Sequence, residues 1–252
     1  MREAPARGGV IRLVQSSLLR LAVTGTDTGV GKTLVTCALV TALRTAGLRV
    51  AAMKPVETGV TERSAGTDAE RLRRAAGATH APDDVCPVTY AEPLAPLVAA
   101  GRARRPVDLA RLDAARARLE VGAGALVVEG AGGLLVPFAR GVGGEVVDFA
   151  SLVLRWRLDL VVVAANRLGV VNHVLLTVRE AERRAIGVRA VVLNAVRPAS
   201  GDVAEATNLD VLRELLPGVP VLAFPFVPPA GRDDPGTLAR VGAPLAAALA
   251  VR

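Results

Sequence analysis

Aromatic side chains are scarce in this sequence: phenylalanine, tryptophan and tyrosine together make up 2% of the residues. Proteins that bind single-stranded nucleic acids stack bases on aromatic rings, so little material exists for such a surface. The formal net charge is +7, but the arginines are interleaved with acidic residues along segments of helical spacing, as around Arg71, Arg104 and Arg183. We therefore predict a solvated basic surface and no nucleic-acid partner.

Cysteine is also rare. The sequence contains Cys37 and Cys86, which lie too far apart to form a CxxC metal-binding motif. Cys37 falls within an apolar pattern of helical spacing. We expect both cysteines to be buried thiols in a reducing cytosol.

Long hydrophobic runs are missing, although 51% of the residues are hydrophobic. Each apolar run is interrupted within about a dozen residues, short of the roughly 18 that span a bilayer. Residues 1–18 begin with a basic residue but lack the apolar stretch and cleavage site of an export signal. We therefore predict no membrane partner, a cytoplasmic location, a loose N-terminal extension over residues 1–18, and one domain over residues 19–252.

What the sequence does contain is a regular alternation of two patterns. Short valine-rich runs occupy residues 20–24, 48–53, 124–128, 159–164, 188–193 and 219–224. Apolar residues at helical spacing occupy residues 32–46, 107–120, 146–157, 171–185 and 204–216. Strands that are apolar on both faces and alternate with helices are typical of a parallel sheet covered by helices. We therefore predict a doubly wound α/β fold, with residues 134–150 as a poorly constrained, mobile cover.

Lysine is the rarest basic residue, and the two lysines, Lys32 and Lys54, each follow a predicted strand. Lys32 lies in the segment 25–33, Gly-Thr-Asp-Thr-Gly-Val-Gly-Lys-Thr, which indicates a glycine-rich turn between a strand and a helix. The backbone N–H groups of such a turn and the positive end of the helix bind phosphate, lysine reaches the outer phosphates, and Thr33 can bind magnesium. Gly25 stands one residue earlier than in the strict GxxxxGKT spacing.

This loop, with its extra residue, resembles that of the ATP-dependent dethiobiotin synthetases. The resemblance extends to Lys-Pro-Val-Glu-Thr-Gly at 54–59, Ala-Glu-Pro-Leu-Ala-Pro at 91–96, Val-Glu-Gly-Ala-Gly-Gly at 128–133 and Leu-Gly-Val-Val-Asn-His at 168–173. Together these motifs span most of the chain in the family's order. The resemblance implies that residues 19–252 form a P-loop ATP-dependent synthetase domain.

Catalytic and nucleotide-binding residues are implied by the same resemblance. Lys54 would contact the γ-phosphate and a substrate carbamate, and Lys32 and Thr28 would be further catalytic residues. The residues implied to bind the nucleotide are Gly29, Val30, Gly31, Lys32, Thr33, Glu129, Gly132, Asn194 and Pro225. From its position alone, Asn194 at the end of a predicted strand is also consistent with a turn-forming asparagine.

Magnesium bound with ATP needs hard oxygen ligands, usually a hydroxyl and one or two carboxylates. We assign Thr33, Asp68 and Glu129 to this metal because the context of Asp68 resembles that of the family's magnesium-binding aspartate. On spacing alone, Asp68 is also consistent with an acidic residue at a helix start.

The implied substrate site includes Lys54 and Thr58, together with Gly169, Val170, Val171 and Asn172. The last four residues open a predicted helix whose free N–H groups can bind an anion. In the proteins that the chain resembles, this helix start belongs to the neighbouring subunit and holds the carboxylate of the substrate. The resemblance thus implies a homodimer with substrate sites at its interface.

The implied reaction joins 7,8-diaminononanoate and CO2 at the expense of ATP, through a carbamate and a carbamic–phosphoric anhydride, to give dethiobiotin. An alternative is a partitioning-type ATPase switch that binds DNA or a partner protein. Its loop carries a signature lysine where this chain has Asp27, which disfavours it. The ATP-using half of a cobyrinate amidase is disfavoured because no glutaminase segment with a nucleophilic cysteine follows.

Overall fold

A computed structural model of the protein describes residues 18–62, 64–199 and 201–250. The predicted N-terminal extension lies outside these residues, apart from residue 18. The main strands are β1 Leu19–Gly25, β2 Val50–Met53, β5 Ala125–Gly133, β8 Asp159–Ala165, β9 Val188–Asn194 and β10 Val221–Phe224. Within the described residues they form a six-stranded parallel sheet in the order β10-β9-β8-β1-β5-β2. The predicted doubly wound α/β class is confirmed.

The helices are α1 Lys32–Thr45, α2 Asp68–Ala75, α3 Pro82–Val85, α4 Pro96–Arg102, α5 Leu109–Glu120, α6 Phe149–Arg155, α7 Val170–Arg183, α8 Val203–Leu215 and α9 Pro235–Ala250. Two small strand pairs accompany the main sheet. The parallel pair is β3 Val56–Thr58 with β4 Val88–Tyr90, and the antiparallel pair is β6 Pro137–Arg140 with β7 Val146–Asp148. The five helical segments predicted from spacing correspond to α1, α5, α6, α7 and α8.

Helices cover both faces of the sheet, and successive side chains of each strand point to opposite faces. On β1, Leu21 and Val23 pack in one apolar cluster with residues of α1 and α9. Ala22, between them, packs in a second cluster with residues of α5, α6 and α7. This arrangement accounts for the continuous apolar runs in the sequence.

Strand register brings the motifs that follow β2 and end β5 together at the carboxyl end of the sheet. Met53 lies opposite Val128, and on the other side of β5, Glu129 lies opposite Val23. The residue after Met53 is Lys54, so its side chain emerges next to Glu129. Because β1 is flanked by β5 on one side and β8 on the other, the loop that follows β1 lies where the order of strands reverses, as such folds require for ligand binding.

One local prediction needs correction between residues 134 and 157. The predicted helix over 146–157 begins only at Phe149, because Val146–Asp148 forms β7 and pairs with β6. The segment 134–150, for which we predicted a poorly constrained cover, contains the β6–β7 hairpin. Its strands close with a backbone hydrogen bond of 2.9 Å from Gly141 to Glu145, and Phe138 of β6 stacks on Phe149 with ring centroids 5.6 Å apart.

Both cysteines are buried, as predicted. Burial raises the pKa of the Cys37 thiol to about 12, so this side chain stays protonated and inert at neutral pH. Among the described residues, no group of three or more histidine, cysteine, aspartate or glutamate side chains could hold a metal ion. No helix in this part of the chain is long and apolar enough to cross a membrane.

Helix α9 packs so closely on α1 that a side chain at Gly242 has no room. A Cβ atom there would overlap the backbone carbonyl of Ala38, which cannot move without distorting α1. We expect Gly242→Ala to lower the free energy of unfolding by about 3 kcal/mol, as overpacking does. Urea denaturation would measure it, with Gly218→Ala, which meets nothing within 4 Å, as the control. Equal stability of the two variants would contradict this account of the α1–α9 contact.

Candidate active site

A cleft of about 610 Å³ lies at the carboxyl ends of the central strands. Residues from the loop after β1, from the ends of β2 and β3, and from the start of α2 line this cleft. The predicted site residues that it brings together are Thr28, Gly29, Gly31, Lys32, Thr33, Lys54, Thr58, Asp68, Gly132 and Asn194. One cleft thus contains most of the residues that the motifs single out.

The loop after β1 has the backbone shape of an anion-binding turn. Gly29 and Gly31 adopt positive φ angles of 74° and 86°, which residues with a side chain rarely adopt. Gly31 is also the N-cap of α1 and provides no side chain to cap the helix. The side chain of Val30 is buried, so only its backbone can contact a ligand. The first amides of α1 therefore face the cleft at the positive end of the helix.

Lys32 lies folded back over this loop. Its Nζ donates a hydrogen bond of 3.0 Å to the backbone carbonyl of Asp27, and the residue is buried. Burial lowers the pKa of Lys32, and the nearby positive charge of Lys54 lowers it further. Two ammonium groups therefore lie close enough to repel each other, an arrangement that an anion between them would stabilise.

The Lys54 ammonium lies between two carboxylates at the end of β2. Its Nζ is 2.5 Å from Oε1 of Glu129 and 2.9 Å from Oδ2 of Asp68, and it also donates to the carbonyl of Gly130 at 3.4 Å. The Thr33 hydroxyl donates to the same Glu129 oxygen at 2.9 Å. Glu129 points toward α1 because it lies on the face of β5 that also carries Ala125 and Val127.

These charges stabilise one another. Burial acts to lower the pKa of Lys54, but the two carboxylates outweigh burial and raise it. Burial likewise acts to raise the pKa of Asp68, but Lys54 outweighs burial and lowers it. At neutral pH Lys54 is therefore protonated and Asp68 ionised. An incoming polyanion can then pair with Lys54, and its cation with Asp68.

One oxygen of this cluster lacks a partner. Oε2 of Glu129 is buried and, among the described residues, accepts no hydrogen bond. A buried carboxylate oxygen without a donor is costly unless a ligand satisfies it. With the Thr33 hydroxyl and the Asp68 carboxylate nearby, the donor set consists of hard oxygens, which suits Mg²⁺.

The position of Asp68 is consistent with both interpretations of its sequence context, an acidic residue at a helix start and a metal ligand. It is the first residue of α2 and follows the N-cap Thr67, so it is an acidic residue at a helix start. Its carboxylate also reaches Lys54 in the cleft. The two descriptions are compatible because the N-terminus of α2 points into the site.

Asn194 ends β9 behind the phosphate-binding loop. Its Nδ2 donates to the backbone carbonyl of Val30 at 2.9 Å, whereas its buried Oδ1 has no partner among the described residues. Pro225 is exposed and does not line the cleft. Its neighbours Phe226 and Val227 do line it.

Gly132 and Thr58 both line the cleft, as does Thr28. Gly132 has a φ of 67°, and a Cβ there would lie 2.8 Å from the Val136 side chain and 3.8 Å from the Thr28 hydroxyl. Thr58 ends β3 with its side chain half-buried.

The predicted substrate-binding helix start lies elsewhere. Gly169 is the N-cap of α7, with a φ of 89° and no capping side chain. Gly169 and Asn172 are exposed, Val171 is half-buried and Val170 is buried, and none of the four lines the cleft. Within one chain, therefore, these residues and the cleft do not form a common site.

Three charged residues of the cleft were missed in the sequence: Glu57, Arg71 and Arg232. Arg71 lies one helical turn after Asp68, so the 3.6-residue period could have placed both on one face. Its guanidinium donates to Asp233 at 3.0 Å and to the carbonyl of Arg232 at 3.2 Å. Arg232 gave no signal, because it follows the 3₁₀ turn Pro229–Gly231 in a segment without periodicity.

Comparison with known proteins agrees with this geometry. The sequence profile of the AAA domain family matches residues 20–229. The ATP-dependent dethiobiotin synthetase BioD of Anaeromyxobacter dehalogenans (strain 2CP-C) is 44% identical over 214 residues, covering 84% of this chain and 92% of the relative. The ATP-dependent dethiobiotin synthetase BioD of Thermodesulfovibrio yellowstonii is 35% identical over 223 residues, covering 86% of this chain and 92% of the relative. That from Bacillus cereus (strain G9842) is 37% identical over 205 residues, covering 81% and 82%. The chain is therefore an enzyme that belongs to the family of ATP-dependent dethiobiotin synthetases.

Proposed function

We propose that the protein catalyses the ATP-dependent carboxylation and ring closure of 7,8-diaminononanoate to dethiobiotin, a step of biotin biosynthesis. One amine captures CO2 as a carbamate. A carbamate oxygen then attacks the γ-phosphorus, the bond to the bridging oxygen breaks, and ADP leaves. The second amine attacks the carbonyl of the resulting carbamic–phosphoric anhydride, phosphate departs, and the amine protons are lost to solvent.

The observation that carries this proposal is the position of Lys54. Its ammonium lies within 2.9 Å of both Asp68 and Glu129 in the cleft that Lys32 also lines. Phosphoryl transfer needs little covalent help from the protein and depends on positioning and on neutralising charge. Lys54 would contact the γ-phosphate and the carbamate, Lys32 the outer phosphates, and Thr28 the reacting end of the substrate.

Magnesium fits this donor set. Thr33, Asp68 and Glu129 would hold it, and the unpaired Oε2 of Glu129 supports this assignment. When bound with ATP, the ion supplies positive charge beside the phosphates. The protein's own contribution is to keep these oxygens in place and to hold Lys54 protonated close by.

Asn194 is proposed to bind adenine. Its unpaired Oδ1 can accept a hydrogen bond from the exocyclic amine of the base, while Nδ2 stays fixed on Val30. The phosphates would lie on the backbone of Gly29, Val30 and Gly31, with Gly132 opposite. Phe226 and Val227, which line the cleft next to Pro225, would supply an apolar wall for the base.

The substrate carboxylate is proposed to bind at the start of α7 of a second copy of the chain. Thr58 and Lys54 would contact the reacting end of the diamine, and the α7 amides after Gly169 of the partner would hold the other end. Exposure of Gly169 and Asn172 leaves this helix start accessible to another subunit. The homodimer, the cytoplasmic location and the extent of the synthetase domain, residues 19–252, remain predictions.

A coupled assay tests the proposal. Purified protein, ATP, Mg²⁺, bicarbonate and 7,8-diaminononanoate should release phosphate in proportion to dethiobiotin, and omission of the diamine should stop both. A parallel reaction replaces the diamine by double-stranded DNA. Phosphate release that depends on DNA and ignores the diamine would favour the partitioning-type ATPase and refute the synthetase assignment.

A further inference from the structure

Glu57 is a buried carboxylate to which the proposed reaction gives no role. It lies in β3, is 6% exposed, and its Oε1 accepts a hydrogen bond of 2.6 Å from the backbone N–H of Asp68. Its Oε2 accepts one of 3.1 Å from the N–H of Ala69. These are the first two amides of α2, so a residue from another element, eleven positions earlier, caps the helix.

The local cap of α2 is weak in comparison. The Thr67 hydroxyl accepts from the N–H of Glu70 at 3.4 Å, near the limit for a hydrogen bond. Charge-assisted bonds to backbone amides are shorter and about twice as strong as neutral bonds, and a negative charge at a helix start is favourable. Glu57 therefore contributes most of what fixes the first turn of α2.

We infer that Glu57 is a positioning residue that holds Asp68 in the cleft. The inference rests on the proposed function, in which Asp68 helps to hold magnesium. Asp68 is fixed at two points: its backbone N–H by Glu57, and its carboxylate by Lys54 at 2.9 Å. When the nucleotide and its cation draw Lys54 toward phosphate, the Glu57 contact is the one that remains.

Glu57 is not itself a metal ligand in this arrangement. Both of its oxygens accept from the α2 amides, so its carboxylate is engaged by the helix start. Partners that orient a metal ligand typically contribute about 10-fold to 100-fold to metal affinity or activity. Removing Glu57 should therefore weaken magnesium binding without removing a catalytic group.

Glu57→Gln tests the inference because it keeps the shape of the side chain while one acceptor becomes an NH₂ donor facing a helix amide. In the ligand-free protein, hydrogen exchange at the Asp68 and Ala69 amides should become about 10-fold faster. The Mg²⁺ concentration for half-maximal turnover should rise by about 10-fold or more, while kcat at saturating Mg²⁺ changes far less.

Asp108→Asn is the matched control. Asp108 caps α5 with bonds of 2.9 and 3.2 Å to the amides of Ala110 and Arg111, but it does not line the cleft. This variant should speed exchange at the start of α5 and leave the Mg²⁺ dependence unchanged. An equal Mg²⁺ shift in both variants would show a global effect and overturn the inference.

Two further measurements keep the test decisive. If Glu57→Gln fails to fold, Glu57→Asp keeps the charge but is too short to reach both amides, and it should show the same shifts in weaker form. Unchanged α2 exchange and unchanged Mg²⁺ dependence would overturn the inference. Hydrogen exchange at the α2 amides needs neither nucleotide nor diamine, so this readout stands even if the ring-closure assay fails and only the proposed reaction falls.

Discussion

Lys54→Met should lower turnover by about 10²-fold to 10³-fold, the usual cost of removing one preorganised group that stabilises charge in a transition state. Methionine has a similar length but no charge, so the γ-phosphate and the carbamate would lose their nearest cation. Lys54→Arg keeps the charge but places it on a broad, planar group. We expect this variant to lose ring closure as well, since a planar guanidinium would meet the γ-phosphate of the proposed reaction in a different geometry from a point charge. Phosphate release in the coupled assay measures both variants.

The same two variants should differ in stability. Lys54→Met leaves the Glu129 carboxylate, with a side-chain exposure of 0%, without its cation. Breaking a buried ion pair by removing one partner costs about 3–5 kcal/mol, whereas Lys54→Arg retains the pairing and should lose far less. Urea denaturation at pH 7 separates the two effects: the arginine variant should be inactive and stable, and the methionine variant inactive and unstable.

A surface pair provides the control for charge removal. Arg20 lies 2.9 Å from Glu120, with 38% of its side chain exposed and outside the cleft, and Arg20→Met should cost about 1 kcal/mol or less with full turnover. An active Lys54→Arg protein would refute the role assigned to the ammonium. A Lys54→Met protein as stable as Arg20→Met would refute the description of Lys54 and Glu129 as a buried pair.

Acidification should weaken the same cluster. Lys54 lowers the pKa of Asp68 below its ordinary value, so the contribution of this pair to stability is present above the pKa of an unfolded aspartate. That contribution is lost as the pH falls through the lower, folded-state value. Loss of the cluster in acid would thus affect stability and the magnesium donor set together.

The sheet could be predicted from the sequence because its strands are apolar on both faces. Val161 and Val163 pack on one side and Leu160 and Val162 on the other, which makes the run continuous and easy to recognise. The β6–β7 hairpin could not, since residues 146–148 precede α6 directly and their apolar spacing merges with that of the helix. Strand β7 is identified by its pairing with β6, for example of Val147 with Ala139, and this is a contact between separate segments.

In the cleft, too, some residues could be predicted from local sequence and others depend on contacts between segments. Lys32, Thr33 and Glu129 follow strands within motifs, so the common edge of a parallel sheet predicts that they meet. Glu57 belongs to one of these motifs, yet its role depends on where α2 begins, which the sequence does not determine. The start of α7 is predicted from local spacing, whereas the substrate contact proposed for Gly169 involves a second copy of the chain.

Gly31→Ala should lower ATP affinity by roughly 100-fold. Gly31 has a φ of 86°, and the left-handed conformation costs a residue with a Cβ about 1–2 kcal/mol. The added Cβ would also overlap Nδ2 of Asn194 and break its bond to Val30, at about 1 kcal/mol. The total of about 3 kcal/mol corresponds to roughly two factors of ten in Kd. Isothermal titration with MgATP measures the loss.

This strain energy can reduce either the affinity for MgATP or the free energy of unfolding, depending on whether the loop relaxes in the nucleotide-free protein. If the loop relaxes in the free protein, the strain is restored on binding and is measured as lost affinity. If the loop cannot relax, the strain is present throughout and lowers the free energy of unfolding instead. Because Asp27, Thr28 and Gly29 in the preceding part of the loop are exposed, we expect the loop to relax and the loss to be mostly one of affinity.

Gly47→Ala distinguishes the clash from the backbone strain. Gly47 follows the other end of α1 with a similar φ of 93°, and a Cβ there meets nothing within 4 Å. This variant should lose about 1 kcal/mol of stability and bind MgATP as tightly as the parent. The opposite result is that Gly31→Ala binds MgATP normally and loses only as much stability as Gly47→Ala. That result would show that the added Cβ does not clash with Asn194. In that case the Asn194 side chain is free to move, and its assignment to adenine loses the fixed geometry on which it depends.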